Sequence, residues 1–314
     1  MLSDTIATKP EEAAPMTQQP WRGIHVAAAL PFNDDLSIDF DAWAAEVAWL
    51  AENGMDGVTP NGSLGEYQTL TPEERYKVVS IATEVAPEGF RVMAGCGAYG
   101  ALESVRAAEQ AAQAGAQSIM LLPPNTYRAE REAVVDHYRR VAEVGLPIVA
   151  YNNPLDTKID MRPDLLAELH GLGYIKGVKE FTGDVRRIYE IKELAPELDV
   201  LIGTDDVLLE VGLAGAVGWV AGYTNAFPNA CRKLYDLATS GNPVDAVEAL
   251  ALYRDLHPLL RWDSKTEFVQ AIKLSMDMVG RKGGICRPPR TPLSPDMAAS
   301  VAKATEYAIS AGYN

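Results

Sequence analysis

The sequence predicts an α/β protein, a (β/α)8 TIM barrel followed by a C-terminal helical annex. From Trp21 onward, short runs rich in Val, Ile and Leu alternate with amphipathic helical stretches, the rhythm of repeated βα units around a parallel sheet. About eight such units can be counted, the number that a closed barrel needs. Beyond Thr224 the pattern becomes purely helical, which adds the annex.

The expected strands are Ile24–Leu30, Gly57–Pro60, Phe90–Ala94, Ser118–Leu122, Ile148–Tyr151, Ile175–Lys179, Val200–Gly203 and Val217–Ala221. Ser118–Leu122 and Pro147–Tyr151 are continuously apolar, as strands buried on both faces should be, whereas an antiparallel sandwich would alternate. Among the stretches between them, Phe40–Ala51, Pro72–Val85, Leu102–Ala114 and Glu130–Val144 have the apolar period of outer helices. Asn225–Ser240, Pro243–Leu256, Lys265–Val279 and Pro295–Ile309 follow the last strand. The division is therefore a tail over 1–22, a barrel over 23–224, and the last barrel helix with the annex over 225–314. A doubly wound open sheet shares the βα rhythm, but it usually carries a glycine-rich phosphate loop after an early strand. The chain has no GxxxxGK[ST]; Gly95-Cys96-Gly97-Ala98-Tyr99-Gly100 has GxGxxG spacing but follows the third expected strand, where glycines at a strand end are more often a tight turn.

With 314 residues, 47% of them hydrophobic, the chain can bury a large core. A formal net charge of −15 opposes nonspecific binding to nucleic acid or an anionic membrane, while a small anionic substrate meets local charges instead. Cys96, Cys231 and Cys286 form no CxxC pair, which fits a reducing cytoplasm. The first twenty residues lack the cationic start and apolar stretch of a secretory signal and read as a disordered tail. No apolar run approaches the length that spans a bilayer.

In a barrel, the carboxyl ends of the strands converge on one mouth. Four polar strand ends stand out: Gly62-Ser63-Leu64-Gly65-Glu66, Tyr151-Asn152-Asn153-Pro154, Lys179-Glu180 and Gly203-Thr204-Asp205. Alternation places Lys179 and Gly177 inward and Val178 outward. An exposed lysine, with a pKa of about 10.4, is almost wholly protonated at pH 7, and desolvation frees the amine that attacks a ketone. Lys179 is thus suited to iminium formation; the plain alternative is a solvated Lys179–Glu180 pair. Tyr151, ending the preceding strand, can relay protons beside that lysine, or can be a buried structural tyrosine. The Gly62–Glu66 turn offers N–H groups and the Ser63 hydroxyl as a carboxylate cradle, or is an ordinary glycine-rich loop, with Glu66 a structural carboxylate.

Metal and triad chemistry find less support. His25, His137, His170 and His257 never fall in HxH or HExxH spacing, and no GxSxG elbow occurs. Asp34-Asp35 and Asp205-Asp206 could bind a divalent cation, but adjacent acids point in different directions, so no metal ligand is assigned.

The order GSLGE (62–66), YNNP (151–154), GVKE (177–180) and GTDD (203–206), each at a strand end, resembles the dihydrodipicolinate synthase and N-acetylneuraminate lyase family. The resemblance runs from about Gly23 to the chain end, through Arg287-Pro288-Pro289. It implies a homotetrameric class I enzyme in which Lys179 forms an imine with pyruvate or a related 2-oxo acid. Tyr151 would be the proton relay, and the Ser63 hydroxyl with the N–H groups of Ser63 and Leu64 would hold the substrate carboxylate. The protonated imine is then the electron sink, stabilising an enamine at C3 for aldol cleavage, aldol addition or loss of a β-hydroxyl, with no external cofactor.

The chain departs from the synthase branch at two positions. The second threonine of a GTTGE loop is Leu64 here, which keeps only its N–H. Two residues past the YNxP proline, where synthases carry an arginine for the carboxylate of aspartate semialdehyde, stands Asp156. At about 4 Å and an effective dielectric near 20, this turns an attraction of about 4 kcal/mol into a comparable repulsion. Asp156, with Thr204 and Asp205, suits the hydroxyls of a polyol tail or sugar acid. Synthases also borrow a tyrosine from a neighbouring subunit; Pro123-Pro124-Asn125-Thr126-Tyr127 lies on the same mouth, with Asn125 a candidate substrate contact and Tyr127 a candidate for that tyrosine. The expected function is a Schiff-base aldolase or dehydratase acting on pyruvate or a hydroxylated 2-oxo acid, the hydroxylated acid being favoured. The alternatives are condensation of pyruvate with aspartate semialdehyde, a non-catalytic sensor of 2-oxo or sugar acids, and a metal-dependent barrel aldolase.

Overall fold

The computed structural model describes residues 19–125 and 128–313. Eight parallel strands close into a barrel in sequence order: β1 Gly23–Ala27, β2 Gly57–Thr59, β3 Arg91–Gly95, β4 Ser118–Leu121, β5 Ile148–Asn152, β6 Gly177–Glu180, β7 Asp199–Ile202 and β8 Gly218–Ala221. Each expected strand is present, displaced by a few residues. The largest difference is at β1, which ends at Ala27 rather than Leu30. There the chain peels off the ladder, because the Ala29 N–H donates to the side chain of Asn225 at 3.1 Å and the Ala28 N–H to the Thr59 carbonyl at 3.4 Å.

The side chains divide between two apolar layers, as the alternation of a barrel strand requires. Val178, Val200, Ile202 and Trp219 point outward against the helices. Trp21, Met93, Met120, Val149, Tyr151, Leu201 and Val220 fill the interior. Of the expected tail, residues 1–18 lie outside the described residues. Trp21 and Arg22 instead fasten the barrel floor: the indole N–H of Trp21 donates to Asp199 at 2.7 Å, and Arg22 holds both oxygens of the same carboxylate at 2.7 and 2.9 Å.

The outer helices start where the sequence supplies caps. Pro72–Val85 opens on a reciprocal capping box between Thr71 and Glu74, and Pro163–Gly171, Pro228–Thr239, Pro243–Leu260 and Pro295–Ser310 each begin with proline, whose missing N–H costs nothing at that position. The helix expected from Asn225 begins at Pro228. Asn225 is taken up in a short turn, where its amide bridges Ala27 and Gly222. The annex helices Pro243–Leu260, Phe268–Met278 and Pro295–Ser310 pack back on the barrel, and the buried ion pair of Lys273 with Glu66, at 2.8 Å, ties them to its mouth.

Candidate active site

Tyr151 on β5 and Lys179 on β6 are register partners, so adjacent strands hold them side by side with both side chains turned inward. The Lys179 Nζ lies 4.3 Å from the centre of the Tyr151 ring and 5.3 Å from that of Phe181. Lys179 is 5% exposed. It is not paired with Glu180, whose carboxylate accepts from Asn152 at 3.0 Å and from the Thr182 N–H at 2.8 Å. Burial pushes the lysine down to about 8, against the opposing pull of the carboxylates Asp263 and Asp205. About a tenth of the amine is then unprotonated at pH 7, some 300 times the fraction for an exposed lysine.

The phenol of Tyr151 accepts from the Asn153 amide at 3.2 Å, and the same amide nitrogen donates to Asp156 at 2.9 Å. Burial raises the Tyr151 phenol well above its usual range, and the nearby charges of Asp156 and Asp263 add to this. It is therefore neutral at pH 7 and can donate or accept a proton without carrying charge. The negative charge of Asp156 reaches the phenols of both Tyr151 and Tyr67.

The Gly62–Glu66 loop is folded by two left-handed residues, Asn61 (φ 56°) and Glu66 (φ 53°). It passes so close to β3 that a Cβ on Gly95 would sit 2.1 Å from the Asn61 carbonyl oxygen. Glu66 is the structural carboxylate the sequence suggested: it accepts from Lys273 and from the Arg287 N–H at 2.8 and 2.9 Å. The Ser63 and Leu64 N–H groups have no acceptor among the described residues, which leaves them to an incoming anion. Gly62 and Ser63 line one small cavity together with Tyr67, Met120, Leu122 and Tyr151.

Other expected contacts fall around this centre in different ways. Thr204 is buried, with a hydroxyl that has no hydrogen-bond partner among the described residues. The Asp205 carboxylate, expected to meet substrate hydroxyls, has 0% exposure. Both its oxygens are occupied by the N–H groups of Trp219, Gly222 and Tyr223, at 2.8 to 3.1 Å; it orders the ends of β7 and β8 rather than facing a ligand. Asn125 bonds the phenol of Tyr67 and borders a wider cleft of about 390 Å³ that also includes Tyr67, Arg75 and Tyr99. Lys179 is not among the residues that line that cleft. Tyr127, weighed for a second tyrosine, lies outside the described residues. His25 and His137, pushed down to about 4 by burial, are neutral packing residues, and among the described residues no three His, Cys, Asp or Glu side chains are arranged to hold a metal ion.

Two residues at the mouth escaped the sequence reading. Tyr67 follows the glycine loop directly, and no motif or spacing in the sequence marks it. Asp263 lies between the annex helices, where no strand end marks it. Trp262-Asp263-Ser264 carries no pattern that separates it from ordinary loop polarity.

Residues 20–308 match the model of the dihydrodipicolinate synthetase family. The chain belongs to this family. It is accordingly a lyase of the Schiff-base-forming class implied by the four strand-end motifs. The 4-hydroxy-tetrahydrodipicolinate synthase of Methanothrix thermoacetophila is 34% identical over 277 residues, covering 87% of this chain and 92% of that protein. The solved 4-hydroxy-tetrahydrodipicolinate synthase of Methylacidiphilum fumariolicum SolV superposes with a TM-score of 0.87 at 28% identity, over 92% of this chain and 96% of the other. The dihydrodipicolinate synthase of Aquifex aeolicus gives 0.85 at 27%, over 93% and 98%. Dihydrodipicolinate synthetase family membership thus spans the barrel and the annex together.

Proposed function

We propose that Lys179 forms the imine and that the enzyme is an aldolase or dehydratase acting on a hydroxylated 2-oxo acid. The observation that carries this is the buried Lys179 amine beside the neutral phenol of Tyr151. Burial supplies free amine at neutral pH, and a neutral phenol can pass a proton to and from the carbinolamine oxygen. The Ser63 hydroxyl and the N–H groups of Ser63 and Leu64 receive the substrate carboxylate. The iminium then draws electrons from the C3 bond, so a C3–C4 bond breaks in the aldolase case or a β-hydroxyl leaves as water in the dehydratase case.

Asp156 directs the choice of substrate. Its charge is felt by both phenols at the mouth, so a second carboxylate there is repelled while hydroxyl groups can donate to it; Thr204 offers a further hydroxyl. Condensation of pyruvate with aspartate semialdehyde is the second reading, favoured by the names of the relatives. The same reading includes a reaction without a separate cofactor, a cytoplasmic setting and a homo-oligomer, tetrameric by the family resemblance.

Borohydride added to the native protein with pyruvate or another 2-oxo acid should leave a reduced adduct on Lys179, read by peptide mass spectrometry. Absence of an adduct across a panel of 2-oxo acids refutes the imine. A parallel panel of cleavage, dehydration and semialdehyde-condensation assays separates the two readings, and robust condensation would overturn the use made of Asp156.

A further inference from the structure

The run Tyr151-Asn152-Asn153-Pro154 carries two asparagines with opposite fates. Asn152 takes the face of β5 opposite Tyr151: its amide nitrogen donates to Glu180 at 3.0 Å and to Asp160 at 3.2 Å, and its oxygen accepts from the Met161 N–H at 2.9 Å. Asn153 turns back toward Tyr151. It is buried, and both polar atoms of its side chain are engaged. Its Nδ2 donates to the phenol oxygen of Tyr151 at 3.2 Å and to Oδ2 of Asp156 at 2.9 Å, while its Oδ1 accepts from the Asp156 N–H at 3.3 Å.

These contacts fix which end of the amide meets the phenol. Turned over, the amide would set its oxygen against the Asp156 carboxylate and its nitrogen against the Asp156 N–H, and both bonds to Asp156 would be lost. Asp156 thus holds the donor end on Tyr151 through its side chain and its backbone together. The ring has little freedom to swing away, since it packs edge-on against Phe181, with centres 5.9 Å apart, and lies 4.3 Å below the Lys179 Nζ. A phenol oxygen that accepts on one side sends its own O–H to another. Among the described residues no acceptor takes that O–H, and the cavity that Tyr151 lines with Gly62, Ser63, Tyr67 and Met120 lies open to it.

We propose that Asn153 is a positioning residue of the reaction: its amide, clamped by Asp156, leaves the Tyr151 O–H free for the substrate and then steadies the phenolate that proton transfer leaves behind. This rests on the imine reading of Lys179. In the step concerned, the Tyr151 O–H gives its proton to the hydroxyl of the carbinolamine. The C–O bond breaks, water leaves, and the nitrogen lone pair closes the C=N bond, so that two neutral groups become iminium and phenolate. The phenolate then takes a proton from C3 of the iminium as the enamine forms, and the tyrosine is neutral again. A hydrogen bond to a charged oxygen is stronger than one to a neutral phenol, so the Asn153 N–H favours the transfer as a pre-set oxyanion donor does. The charge of Asp156 opposes the phenolate, and the Asn153 donor set between the two offsets it. Asp156 therefore has a second task beside the choice of substrate, which is to orient the amide that serves Tyr151.

The test is the rate of imine formation, read by mixing protein with pyruvate, quenching with borohydride after timed intervals and measuring the adduct on Lys179 by mass spectrometry. It is run on the wild-type protein, Asn153→Asp, Tyr151→Phe and the double variant. Asn153→Asp keeps the size of the side chain and an oxygen for the Asp156 N–H, but it faces the phenol with an acceptor, which captures the O–H and repels the phenolate. At saturating pyruvate the rate should fall about tenfold or more, while the pyruvate concentration for half-saturation stays within about twofold, because the Gly62–Glu66 loop is untouched. In the Tyr151→Phe background the same change should slow the reaction no further, since no phenol is left to serve. A residue that merely supports the fold would slow both backgrounds alike. If Asn153→Asp does not fold, Asn153→Ser, which has no amide to set on the phenol but can still accept the Asp156 N–H, supplies the same readout. A wild-type rate at saturating pyruvate in a folded Asn153 variant, or equal slowing with and without the phenol, overturns the proposal; a wild-type protein that is never trapped overturns the imine reading instead.

Discussion

Replacing Lys179 with methionine should abolish imine formation and at the same time stabilise the protein. A lysine held at about 8 in the folded state, against 10.5 when exposed, costs about 3 kcal/mol at pH 7, from about 2.5 pH units at about 1.4 kcal/mol each. The unfolded chain keeps the proton up to pH 10.5, the folded chain only to about 8. Between these values the unfolded state binds more protons, so the cost is complete below pH 8, declines as pH rises and vanishes above 10.5. Methionine has similar length, can pack against the rings of Tyr151 and Phe181, and removes this cost. Asp205 and Asp263 lose the attraction of the lysine charge, which offsets part of the gain, and the net should be about 1–3 kcal/mol at pH 7. Urea unfolding followed by tryptophan fluorescence, at one protein concentration and at pH 7 and pH 10, measures it. A variant no more stable than wild type at pH 7, or a gain that does not shrink at pH 10, would refute the assignment of Lys179 as a buried, destabilised amine.

Two further outcomes concern the Gly62–Glu66 loop, proposed above as the carboxylate cradle. Lys273→Met should destabilise the fold by about 3–5 kcal/mol, because Glu66 (0% exposed) would lose its ion-pair partner while buried; adding Glu66→Leu should recover much of that loss while leaving the Gly62–Glu66 loop misplaced, so denaturant unfolding and pyruvate trapping would diverge. Gly95→Ala should raise the pyruvate concentration needed for trapping about tenfold or more, since its methyl would displace the Asn61 carbonyl and with it Ser63. Unchanged trapping there would show that the loop does not hold the substrate.

The sequence by itself determined the barrel, its eight strands and the two side chains at its centre. Period-two alternation decides which face of β6 Lys179 takes, and register with β5 follows from strand order, so Lys179 and Tyr151 were legible as neighbours before any coordinates. That the Gly62–Glu66 loop sits beside Tyr151 was legible for a similar reason, since a loop at a strand end has one place to go in a barrel. What only the tertiary structure decided lies between elements remote in the chain. Asp205 sits at a strand end like the others, yet it is consumed by the N–H groups of Trp219, Gly222 and Tyr223, a fate set by how the ends of β7 and β8 pack. Asp263 reaches the mouth from a loop 84 residues past Lys179, because the annex helices fold back onto the barrel. Local pattern records the direction of a side chain, whereas the charge it meets depends on which distant segment closes over it.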